Sequence, residues 1–119
     1  MKYVDGFVIP LPTKNVEAYR RIARKAGKIF KELGALEYRE CVGDDLKVKM
    51  GLPFAETVKA KRNETVVFSW IVYKSRAHRD AVNAKVMKDP RLLKMMEQGA
   101  MPFDVSRMAY GGFKVIVDF

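Results

Sequence analysis

The sequence predicts an α+β domain in which strands and helices follow a split βαββαβ order, with one extra hairpin strand. Three observations predict it. Apolar residues recur at steps of three and four between Val16 and Leu33, the signature of an amphipathic helix. Runs rich in β-branched and aromatic residues, Tyr3 to Ile9, Leu36 to Val42 and Thr65 to Tyr73, mark strands around it. A length of 119 residues fits one domain, residues 1–119, with no linker, repeat or low-complexity segment dividing it.

In chain order, Tyr3 to Ile9 is closed by Pro10 and Pro12, which lack the amide that a central ladder needs. Thr13 or Asn15 offers a side-chain oxygen to cap the next helix. Val16, Tyr19, Ile22, Ala23, Ala26, Ile29, Phe30 and Leu33 form its apolar face, and Gly34 ends it in a left-handed cap. The strand Leu36 to Val42 runs into a turn at Gly43, Asp44 and Asp45, then a loop through Gly51 and Pro53. Phe54 to Ala60 and Thr65 to Tyr73 read as a hairpin joined by Lys61, Arg62, Asn63 and Glu64. Val66, Val67, Phe68, Trp70, Ile71 and Val72 are apolar on both faces, so that strand is expected to be covered on both sides. Ser75 caps a second helix carrying Ala77, Ala81, Val82, Ala84 and Met87. Asp89 and Pro90 end it and start a short third helix, which Gly99 stops. Met101 to Asp104 turn the chain into a last strand, Met108 to Val117, where Gly111 and Gly112 signal a bulge or a close backbone approach.

Without its extra strand this order is that of ferredoxin-like folds, two long helices on one face of an antiparallel sheet. The opposite face, to which Tyr3, Phe7 and members of the Val66 to Val72 run are assigned, is too apolar for water. A second subunit is its natural cover, so a homodimer is expected.

Composition bounds the function. A single cysteine, Cys41, excludes an internal disulfide, and no apolar run behind a basic start marks a signal peptide. The longest apolar stretch, Val66 to Val72, is far too short for a bilayer, so a cytoplasmic protein without membrane association is expected. The net charge of +9 supports attraction to polyanions but equally serves solubility. No phosphate-cradling glycine loop, dinucleotide fingerprint or nucleophile elbow is present. The only histidine, His78, stands among Arg76, Arg79 and Asp80 and reads as a solvated helix residue. A metal site of several histidines within one subunit is thereby excluded, and no metal or cofactor is expected.

Two carboxylates stand out. By period two, Asp5 shares a face with Tyr3, Phe7 and Ile9, and Glu40 shares one with Leu36, Tyr38 and Val42. A carboxylate in an apolar row must find a partner or change its pKa. If both rows line one cavity, Asp5 and Glu40 are candidates for general acid or base work. The competing structural reading pairs each with an arginine such as Arg39 or Arg107. Cys41 points to the opposite face and reads as a small core residue. Trp70, Phe68, Tyr110 and Phe113 could hold a flat ligand, though aromatics on apolar strands are core first. Met87, Met95, Met96, Met101 and Met108 could line a pliable pocket or pack a loose short helix.

The first helix supplies a rival. Arg20, Arg24, Lys28 and Lys31 form one basic stripe, which could track phosphates by charge alone. No aromatic is interleaved to stack bases, and no nucleic-acid motif is present.

Several blocks of residues together carry a resemblance: Tyr3 to Phe7; Glu40, Cys41, Asp44 and Asp45; Val66 to Trp70; Asp80, Asn83, Asp89, Pro90 and Arg91; Met101 to Asp104; and Arg107, Met108, Gly111, Gly112 and Phe113. In this order the chain resembles, nearly end to end, the YbaA-like family of proteins of unknown function in the dimeric α+β barrel superfamily. The resemblance implies a homodimer whose two sheets face one another, and it carries no reaction. Within these blocks Ser69, Trp70, Arg107 and Met108 are candidate ligand contacts. The expected function is small-molecule binding or catalysis in a cavity between sheet and helices. The alternative is polyanion or nucleic-acid binding along the first helix.

Overall fold

Alternating apolar side chains at the start of the chain build a strand that organises everything after it. The computed structural model describes residues 1–99 and 101–119. The elements are β1 (Tyr3–Pro12), a 3-10 turn (Thr13–Asn15), α1 (Val16–Glu32), β2 (Glu37–Val42), α2 (Phe54–Thr57), β3 (Glu64–Tyr73), α3 (Arg76–Met87), α4 (Pro90–Glu97), a second 3-10 turn (Val105–Arg107) and β4 (Ala109–Lys114). The strands form a four-stranded sheet in the order β2-β3-β1-β4, every neighbouring pair antiparallel. This is the ferredoxin-like order expected from the sequence.

One face of the sheet carries the helices. Tyr3, Asp5, Phe7, Ile9 and Leu11 of β1 stand beside Tyr73, Ile71, Ser69, Val67 and Thr65 of β3. Their apolar members pack in two clusters. Ile71 and Tyr73 meet Ile29 of α1 and Val82 and Val86 of α3, while Ile9, Leu11 and Val67 meet Tyr19 and Ala23. Phe7 touches both clusters and bridges them. Tyr3 and Phe7 therefore lie under the helices, contrary to their assignment to the uncovered face: period two puts them in the same row as Asp5. The open face belongs to Val4 and Val8 of β1, Val66, Phe68, Trp70 and Val72 of β3, and Phe113 of β4.

Local expectations meet mixed outcomes. Pro10 and Pro12 sit inside β1, because β4 pairs with β1 only as far as Val8 and leaves no ladder there for their missing amides. Asn15 makes no side-chain cap; its Nδ2 donates instead to the Pro102 carbonyl at 2.8 Å, tying α1 to the loop before β4. Gly34, at φ +124°, closes α1 as expected, with Ala35 N donating to Phe30 O at 3.0 Å. Ser75 Oγ accepts from His78 N, and Asp89 Oδ1 accepts from Arg91 N, capping α3 and α4.

The expected extra strand is absent: Phe54–Thr57 is one helical turn behind Pro53, and Lys59 follows at φ +53°. Both edges of β3 are already taken, by β1 and β2, so a hairpin partner has no ladder to join. The turn α2 lays Phe54 against Phe68 on the open face, with ring centroids 5.8 Å apart. Gly112 marks a close approach and not a bulge, since the register from Tyr3–Lys114 to Val8–Ala109 is unbroken. A Cβ at Gly112 would lie 2.8 Å from Tyr3 Cε2. Among the described residues no helix is long and apolar enough to cross a membrane.

Candidate functional site

Between the two core clusters the helices stand off the sheet and leave a cavity of about 350 Å³. Ligand sites commonly run from roughly 300 to 1,000 Å³. Phe7, Ile9, Ser69 and Ile71 form its floor, Ala23, Ala26 and Phe30 of α1 and Asn83 and Met87 of α3 its roof, and Met101, Phe103 and Met108 close one side. Asp5 and Glu40 both line it. The β-pairing explains why: Glu40 is opposite Ser69, Ser69 is opposite Phe7, and Asp5 is two residues back on the same row.

The two carboxylates are held differently. Asp5, 1% exposed, accepts from Arg79 Nη1 of α3 at 2.8 Å. That same guanidinium donates to Tyr110 Oη at 3.3 Å and to Asp80 at 2.8 Å, and lies over the Tyr3 ring at 4.9 Å. Burial pushes Asp5 up from the ordinary carboxylate range, opposed by Arg79 and by hydrogen bonds from Asn83 and Tyr110. Tyr73 Oη in turn donates to Asn83 Oδ1 at 3.2 Å, which orients that amide.

Glu40 is half-buried and meets no cation among the described residues. Its Oε1 accepts from Tyr19 Oη of α1 at 2.7 Å and its Oε2 from Tyr38 Oη at 2.6 Å. Burial, and then the charge of Glu40, pushes both phenols well above their ordinary range, so they remain protonated donors. Gly27 makes this geometry reachable: a Cβ there would sit 2.6 Å from Tyr38 Cδ1. The Tyr19–Glu40–Tyr38 trio forms a wall, because a second groove of about 290 Å³, carrying Arg20 and Arg24, is lined by the same three residues.

Three aromatic pairs line the cavity: Phe7 stacks on Tyr110 at 4.8 Å, Phe30 on Tyr38 at 5.8 Å, and Tyr19 meets Phe103 edge-on at 5.7 Å. Met87, Met101 and Met108 line it as well, while Met95 and Met96 line a neighbouring hollow of about 280 Å³ under α4.

Of the remaining candidates, Ser69, Met108 and Arg39 line the cavity and the others fall elsewhere. Neither carboxylate takes the arginine named for it: Arg39 lies 3.9 Å from Glu37, and Arg107 forms a two-pronged clamp on Glu64 at 2.7 and 2.9 Å. Arg107 also donates to the Lys59 carbonyl at 3.0 Å, which gives it a structural task away from the cavity. Ser69 faces the cavity, but Trp70, its chain neighbour, faces the open side and cannot share a site with it. Tyr110 likewise parts from Phe68, Trp70 and Phe113, which stand on the open face. Cys41 is exposed instead of buried, because β2 is an edge strand whose outer face this chain leaves bare. His78 is half-buried, its Nδ1 accepting from Lys74 N at 3.0 Å. Arg20, Arg24, Lys28 and Lys31 are exposed on α1; Arg20 pairs with Glu17 at 3.4 Å and Lys31 Nζ donates to the Leu36 carbonyl at 2.7 Å. No group of three or more His, Cys, Asp or Glu that could hold a metal occurs among the described residues.

Sequence reasoning missed the partners. Tyr38 was accessible, since it lies two residues from Glu40 on the same face, but Tyr19, Arg79 and Asn83 arrive from helices distant in the chain.

Comparison with known proteins places this geometry in context. The model of a family described as "Protein of unknown function (DUF1428)" matches residues 2–105. The chain is 51% identical over 118 residues to the "Uncharacterized protein YbaA" of Escherichia coli (strain K12), covering 99% of each. Among solved structures, an uncharacterized NIPSNAP domain protein from Burkholderia xenovorans superposes with a TM-score of 0.60 at 15% identity, over 95% of this chain and 93% of that one. A dimeric ferredoxin-like protein from an uncultured marine organism superposes with a TM-score of 0.55 at 15% identity, over 99% and 98%. At such identities the structural likeness is one of fold.

Proposed function

The chain belongs to the family of proteins of unknown function DUF1428, and on that premise we propose that it is a homodimer binding a small molecule between sheet and helices. The cavity carries this reading. A core built for stability alone closes to crystal-like density, whereas here a half-open cleft of about 350 Å³ remains between its two halves. Aromatic and methionine side chains supply the walls, and polar groups converge at Asp5, Ser69, Asn83 and Glu40. Asp5 is neutralised by Arg79; Glu40 carries its charge without a cation and is the base candidate if the site is catalytic.

The homodimer is supported by the open face, where Phe68 is 43% and Phe113 61% exposed. The chain also exposes 8473 Å², where a compact protein of its mass exposes about 6,600 Å². The related fold described above as dimeric agrees with this reading.

A small-aromatic fragment screen, read by thermal shift and by amide NMR shifts, tests the cavity. Ala26 lines it, so Ala26→Phe places a ring in the space. The expected result is fragments that raise the melting temperature of the unmodified protein, shift amides around Ser69, and lose binding in Ala26→Phe. Fragments that bind the folded variant equally well would place binding elsewhere.

A further inference from the structure

The Tyr19–Glu40–Tyr38 trio has spent its donors. Each phenol gives its single proton to a different oxygen of Glu40, at 2.7 and 2.6 Å. What remains toward the cavity is the free lone pairs of one carboxylate and two phenols, an acceptor-only surface with a negative charge at its centre. A carboxylate or phosphate brought there would meet like charge and find no proton to accept from the trio, the Ser69 hydroxyl being the one neutral donor across the sheet. An ammonium would find four oxygens able to receive its hydrogens, two of them sharing the carboxylate charge.

The other charges around the cavity do not alter that balance. Arg39 of β2 also lines it, but its side chain is 57% exposed, lies 3.9 Å from Glu37, and by period two leaves the sheet on the face opposite Glu40. Asp5 and Arg79 cancel as a pair at 2.8 Å, and Asn83 and Tyr110 are engaged with that pair. From β3 the neighbouring group is Ser69, which is neutral, and from the loop before β4 they are Phe103 and Met108. Arg20 and Arg24 of α1 line the outer groove, behind the trio, and are exposed, so solvent screens them. The paired rings around the trio, Tyr19 with Phe103 and Phe30 with Tyr38, add π-faces that favour a cation over a neutral head group.

We propose that the cavity takes an organic cation, a protonated amine on an apolar body, with Glu40 as its counter-ion. The proposal rests on the cavity being the binding site and specifies its ligand class. The apolar body lies against Phe7, Ile71 and Met108, and the ammonium reaches Glu40.

Three probes of nearly equal shape separate charge from bulk: 2-phenylethylamine, 2-phenylethanol and 3-phenylpropanoate, titrated at neutral pH and followed by amide NMR shifts. The expected ranking on the unmodified protein is ammonium tightest, alcohol next, carboxylate weakest. Glu40→Gln keeps the size, removes the charge, and should weaken the ammonium about tenfold or more while changing the alcohol by less than about threefold. Carboxylate binding as tight as the ammonium overturns the proposal, as does no measurable ammonium binding or an ammonium indifferent to Glu40→Gln. The ranking needs no variant, so the test stands even if Glu40→Gln folds poorly. Ala26→Phe separates the two levels: probes abolished by it but ranked against the cation sink the ligand class alone. Probes indifferent to it sink the cavity reading itself.

Discussion

Arg107 and Glu64 give the clearest pH dependence of any single pair. The Arg107 guanidinium, helped by the backbone amide of Lys61, holds Glu64 down at about 2 against the opposing effect of burial. A folded-state pKa below the unfolded one, near ~4.3, contributes stability that is complete above the unfolded value and is lost as pH falls through the folded one. The melting temperature should therefore drop between about pH 5 and pH 2, and Glu64→Gln or Arg107→Met should flatten that limb. Variants that keep the acid slope of the unmodified protein would remove this clamp as its source. Asp5 works in the opposite sense: burial raises its pKa, so whatever stability it contributes is fullest below its unfolded pKa and declines as pH rises through the folded value.

Helix α1 meets β2 at Gly27, and that contact sets where Tyr38, and through it Glu40, stands. A Cβ on Gly27 would lie 2.6 Å from Tyr38 Cδ1, close enough to force the ring or the helix to move. Alanine is the better helix former by about 1 kcal/mol, while overpacking costs ~1–3 kcal/mol, so Gly27→Ala should lose up to about 2 kcal/mol. In a Tyr38→Ala background the clash is gone and the same change should gain up to about 1 kcal/mol. Denaturant melts of the four proteins check this, and an unchanged sign in the second background would count against it. The same scale explains α2: the spacing of Phe54 to Ala60 before Thr65 suits a hairpin, yet β3 has no edge left to pair with. Spacing says that two segments could meet; it does not say whether a strand edge is free.

The whole molecule is flat, 40 × 38 × 20 Å, and one of its broad faces is the open side of the sheet. Beyond β4 the chain ties Val115 N to Lys2 O at 3.0 Å and then runs on with Ile116, Val117 and Phe119 exposed. This much uncovered apolar surface is suited to burial against a second copy. Sedimentation at micromolar concentration should give twice the 13.6 kDa chain mass, and Phe68→Asp, which places a charge on the open face, should give folded monomer. A folded 13.6 kDa monomer of the unmodified protein would refute the dimer.

The βαββαβ order apart from the extra strand, the α1 stripe, the Ser75 cap and the placing of Asp5 and Glu40 in apolar rows were all determined by the sequence alone. Each depends on period, capping chemistry or proline geometry within a few residues, which the chain states directly. Which partner each carboxylate takes was decided only in three dimensions. Arg79 stands 74 positions from Asp5, and Tyr19 stands 21 from Glu40. Both distances depend on how α1 and α3 settle on the sheet, and no local pattern encodes that. So too with Cys41, Trp70 and Arg107: their neighbours in sequence are explicit, but the face they share and the strand edge left free follow from the closed register of the sheet.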